Sequence, residues 1–65
     1  MSNLTVWAIW EGEILTARNF TSETLAEAYY SSTVDKYNRS DDSEGVTVQL
    51  IDNRTNDVLL ERHFA

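Results

Sequence analysis

The chain contains no cysteine, no proline, two glycines and a single histidine in 65 residues. Without cysteine there is no disulfide and no thiolate metal site, and His63 alone cannot supply a zinc cluster. A small domain denied such staples depends on a well-packed core, a partner, or both. Without proline, and with glycine only at Gly12 and Gly45, nothing reads as a linker. No segment repeats, so one domain over residues 1–65 is expected. The longest apolar run near the start is Val6–Trp10, far below the roughly 20 residues that span a bilayer. No secretory leader pattern opens the sequence, and a soluble, cytoplasmic protein is expected. The Asn-x-Ser/Thr triplets at Asn3, Asn19, Asn38 and Asn53 are then coincidences of composition.

Basic residues are also scarce. Five Lys and Arg stand against eleven Asp and Glu, for a net charge of −6 and a pI near 4.4. Contact with phosphates requires a basic patch, so direct nucleic-acid binding is disfavoured, as is an anionic membrane surface. An acidic chain suits solubility, a protein partner, or imitation of a nucleic-acid backbone.

What is present is patterned. Leu4–Trp10 is β-branched and aromatic, and Glu11-Gly12 breaks it before a second strand at Glu13–Asn19. A two-residue loop pairs Ile9 with Ile14 and Trp7 with Thr16. One face then carries Leu4, Val6, Ala8, Trp10, Leu15 and Ala17. The other carries Thr5, Trp7, Ile9, Ile14, Thr16 and Arg18, and any slip of register exchanges faces. Phe20–Leu25 is a helix start, with Thr21 as N-cap and Phe20 stapled to Leu25. Leu25, Ala26, Tyr29, Tyr30, Thr33, Val34 and Tyr37 then recur at helical spacing, while Thr24, Glu27, Ser31, Asp35 and Asn38 line the opposite side. Asn38–Gly45 is a polar, acidic loop. A second hairpin follows, Val46–Asp52 and Val58–Phe64, with a turn in Asn53–Asp57. Three loop residues set Leu50 opposite Leu60, placing Val46, Val48, Leu50, Val58, Leu60 and Phe64 together, with Arg62 at the rim. Thr47, Gln49, Ile51, Leu59, Glu61 and His63 face the other way.

The fold class is therefore α+β: a ββαββ chain forming a four-stranded antiparallel sheet with one helix packed on one face. The expected strand order is second, first, third, fourth, or second, first, fourth, third. One helix covers one side, so Trp7 belongs to the uncovered side. There Trp7, Ile9, Ile14, Ile51 and Leu59 form an apolar centre, with Arg18 and Glu61 at the rim. A tryptophan anchor within a polar rim is the pattern of a protein interface.

No constellation for chemistry emerges. His63 and Glu61 share a strand face but lack a nucleophile. Asp41, Asp42 and Glu44 lack the spacing of a calcium loop, and the glycines do not form a phosphate cradle. Tyr29, Tyr30 and Tyr37 suit core packing better than base stacking. The expectation is a non-enzyme with no catalytic, cofactor or metal site, acting on a protein partner or on a second copy of itself.

The stretch VWAIWEGEILTARNFTSETLAEAYY, a strand–turn–strand followed by Phe-Thr-Ser-Glu-Thr-Leu-Ala-Glu-Ala, resembles small bacterial hairpin–helix–hairpin domains. Its ETLAEA segment and following valine-rich strand are also similar to those of small phage inhibitors of host RNA polymerase. The resemblance covers about residues 5–50; the basic residues expected after the last strand are absent, and no functional residue carries over. It implies a phage- or prophage-encoded protein that docks on a host protein. Two alternatives stand beside that reading. One is an acidic nucleic-acid mimic working through Glu23, Glu27, Asp35, Asp41, Asp42 and Glu44, as an anti-restriction or anti-CRISPR factor would. The other is a homodimeric structural protein.

Overall fold

The computed structural model describes residues 3–65. Its elements are β1 (Leu4–Trp10), β2 (Glu13–Phe20), α1 (Glu23–Asn38), β3 (Val46–Asp52) and β4 (Asp57–His63). The four strands form one antiparallel sheet in the order β2-β1-β3-β4, the first of the two expected orders. The fold is the α+β, ββαββ arrangement: two hairpins side by side, with the helix across one face.

The two central strands alternate strictly. Leu4, Val6 and Ala8 on β1 and Val46, Val48 and Leu50 on β3 point inward and are buried; with Ala26 and Phe64 they form the core. Phe20, Tyr29, Tyr30, Val34 and Tyr37 close over it. Three tyrosines suit this position because their ring bodies pack on small Val and Ala side chains while their hydroxyls reach the edge. Phe20 packs on Tyr29 with ring centroids 5.4 Å apart, and Tyr37 on Phe64 at 6.4 Å. Buried Thr33 donates its hydroxyl to the Tyr29 carbonyl at 2.8 Å, and no described buried side-chain polar atom lacks a partner.

The helix begins one residue later than expected. Ser22, not Thr21, is the N-cap, accepting the Leu25 amide at 3.3 Å. Leu25 is not on the inner stripe: it is 60% exposed. The place assigned to it against Phe20 is taken by Tyr29, one turn further along.

The β1–β2 turn has both central residues in the left-handed region, Glu11 at φ 48° and Gly12 at φ 81°. That is the two-residue hairpin geometry whose twist matches the strands, and glycine enters it freely while glutamate does not. The β3–β4 turn is closed by the Asn56 amide, which donates to the Asp52 carbonyl at 2.7 Å, with Asn56 left-handed at φ 62°.

Each edge strand departs from the expected register by one residue. In β2 the pairing runs Ile9↔Ile14 and then Ala8↔Thr16, so Leu15 has no partner. In β4 it runs Leu50↔Leu60 and then Ile51↔Val58, so Leu59 has none. Both irregularities are bulges, the usual device that keeps an edge from recruiting another strand. Beyond a bulge the side chains exchange faces. Thr16 and Arg18 therefore turn toward the helix and Ala17 away from it, while Val58 takes the position expected of Leu59.

Candidate functional site

The sheet face opposite the helix follows from the register. Its rows across the strands are Asn19–Thr5–Ile51–Val58, Ala17–Trp7–Gln49–Glu61 and Ile14–Ile9–Thr47–His63. Trp7 stands in the middle row on a central strand. Period-two alternation puts it there because Val6 and Ala8 are committed to the core. Its indole is half-buried against its neighbours and lies on the side away from the helix.

A hydrogen-bond lattice fixes this surface. The Trp7 indole Nε1 donates to Gln49 Oε1 at 2.7 Å, and Gln49 Nε2 donates to Glu61 Oε1 at 2.6 Å. Thr5 donates to Asn19 Oδ1 at 2.8 Å and accepts from Asn53 Nδ2 at 2.8 Å. Thr47 Oγ1 and His63 Nδ1 are 2.8 Å apart. Such cross-strand polar pairs hold rotamers in place, so the face presents a preset shape. Between the polar pairs lie two apolar rungs, Ile9–Ile14 and Ile51–Val58. Ile14 and Val58 are 56% and 48% exposed.

Of the residues expected to form the site, Trp7, Ile9, Ile14, Ile51 and Glu61 share this face. Arg18 does not. The bulge at Leu15 turns it to the helix side, where its guanidinium lies 5.5 Å from the centre of the Tyr29 ring. Leu59 does not either: it lines a cleft on the helix side with Glu23, Glu27, Leu50 and Leu60. Val58, Ala17, Asn19, Gln49, Thr5, Thr47 and His63 complete the surface, and Asn53 joins it through Thr5. Nothing in a single sequence marks where a bulge falls, so Val58 and Leu59 could not be told apart there.

The face is nearly free of charge. The chain has eleven acids and five bases, yet the paired positions of this surface include one of them, Glu61. The carboxylates considered for nucleic-acid mimicry lie elsewhere and apart. Glu23 and Glu27 flank the start of α1, and Asp35 is held by Arg39 at 3.0 Å. Asp41, Asp42 and Glu44 follow its far end, a helix length of roughly 24 Å away.

Two groups titrate away from their ordinary values, and neither is on the open face. Burial raises the Tyr30 phenol, partly offset by Arg62. The Asp52 carboxyl, which caps the β3–β4 turn by accepting the Arg54 backbone amide at 2.9 Å, is lowered first by that hydrogen bond and then by the one from the Arg54 side chain. Among the described residues no three His, Asp or Glu side chains converge as metal ligands would, and no helix is long and apolar enough to cross a membrane.

Comparison with family models, with curated proteins and with solved structures gives no match to this chain.

Proposed function

We propose that the chain is a non-enzymatic protein-binding module that docks on a larger protein through the open sheet face. The observation that carries this reading is the near-neutral surface centred on Trp7 in an otherwise strongly acidic molecule. Interface cores are depleted in charge and enriched in tryptophan, because every charge covered must be desolvated while an indole gains from burial. The bulges in β2 and β4 favour face docking over strand addition, since they break the regular row of free backbone groups that an added strand needs. The cytoplasm and a phage or prophage origin belong to the same proposal; they rest on the composition and the resemblance.

The test is quantitative capture. Immobilised wild-type chain and Trp7→Ala are exposed to lysate of the source cell, the retained protein is identified, and its Kd is measured for both. A buried tryptophan anchor predicts a loss of about 30-fold or more in the variant, with little change between low and high salt. Equal affinity for the two forms would refute the docking face. A steep loss with salt, insensitive to Trp7, would point to the acidic mimic. A melting temperature that rises with protein concentration, and is flattened by Trp7→Ala, would show that the partner is a second copy.

A further inference from the structure

The helix side of the sheet holds a second apolar surface, independent of Trp7. Helix α1 packs on β1, β2 and β3, and every residue of β4 is exposed. Between α1 and β4 runs an open cleft of about 230 Å³ lined by Glu23, Glu27, Leu50, Leu59 and Leu60. The bulge makes this cleft apolar. A regular strand would send Leu59 and Leu60 to opposite faces; with Leu59 unpaired, both line the same cleft. They are 47% and 41% exposed, above a floor formed by buried Leu50. On the helix wall, Glu23 and Glu27 stand one turn apart, and neither forms an ion pair among the described residues.

We propose that this cleft seats a segment of another protein that presents aliphatic side chains flanked by lysine or arginine. The leucines exclude water around the aliphatic groups, and the two carboxylates meet the flanking cations at the rim. The size fits side chains of a peptide rather than a whole small molecule, whose sites run to about 300–1,000 Å³. The charge pattern argues against a second copy, because two such clefts would bring four carboxylates together in a chain of net charge −6.

The experiment is an NMR titration of the full ¹⁵N-labelled chain with the peptide acetyl-Lys-Leu-Ile-Lys-Leu-Leu-amide, and with its counterpart in which glutamate replaces both lysines. The lysine peptide should shift the amides of Glu23, Glu27, Leu59 and Leu60, and the glutamate peptide should not. Glu23→Gln combined with Glu27→Gln should weaken binding about fivefold at low salt, and that difference should shrink as salt rises. Leu59→Ser, at a half-exposed position without a strand partner, should abolish the shifts while leaving the amide spectrum of the free chain folded. The proposal is overturned by no binding at millimolar peptide, by equal binding of both peptides, or by shifts confined to the Trp7 face. Shifts at Leu59 and Leu60 on diluting the free protein would also overturn it, assigning the cleft to self-association.

Discussion

Residues 49 and 50 are neighbours in the chain and should behave as opposites. Leu50 is 1% exposed, paired with Val6 on one side and Leu60 on the other beneath the helix. Truncating it to alanine removes packed methyl groups and leaves a cavity, a loss of about 2–5 kcal/mol. For a chain of this length the total stability is on the order of 3–10 kcal/mol, so Leu50→Ala should take a large share of it. Gln49 faces the other way and holds the Trp7 indole at 2.7 Å and Glu61 at 2.6 Å. Gln49→Ala frees both partners to bind water, at a cost of about 0.5–1.5 kcal/mol. Urea unfolding followed by tryptophan fluorescence separates the two. With a slope of about 1 kcal/mol per molar, Leu50→Ala should lower the midpoint by roughly 2 M or more, and Gln49→Ala by roughly 1 M. Gln49→Ala should also change native-state emission, since it unpins Trp7, whereas Leu50 lies on the far side of the sheet. Equal losses, or a larger loss at position 49, would mean that the faces are exchanged and that Trp7 is a core residue.

Four further outcomes follow from local geometry. Glu11→Asn should stabilise the domain by about 0.5–1 kcal/mol in the same assay, because asparagine tolerates the left-handed conformation that Glu11 holds at φ 48°. Gly45→Ala should cost about 1–3 kcal/mol, since φ is +87° there, a backbone conformation that L side chains rarely adopt. Ser22→Ala removes the N-cap and should cost about 1 kcal/mol, while Thr21→Ala should cost little. The Asp52 carboxyl is lowered in the folded state, so its contribution is fully present above its unfolded pKa of about 3.9 and is lost as pH falls through the folded value. The stability difference between wild type and Asp52→Asn should therefore be constant above about pH 4 and shrink progressively as pH falls below it; a difference that does not change with acidification would refute the assignment.

Local chemistry was enough to determine much of this molecule. Alternation in Leu4–Trp10 and Val46–Asp52 reports two strands with one buried face each, because side chains on a strand repeat every two residues. The spacing of Ala26, Tyr29, Tyr30, Thr33, Val34 and Tyr37 reports the helix and its inner stripe. From these the α+β layout and the exposure of the Trp7 side are legible. The edge strands were not. Their register depends on where one extra residue is accommodated against a neighbour, which is a matter of sheet twist and pairing, not of local pattern. Tertiary structure decided that Arg18 lies over Tyr29 instead of at the rim, that Leu25 stands in water, and that Val58 replaces Leu59 on the open face. The same bulge gathered Leu59 and Leu60 beside Glu23 and Glu27, a cleft made by residues more than thirty positions apart, brought together only when the helix settled on β1 and β3.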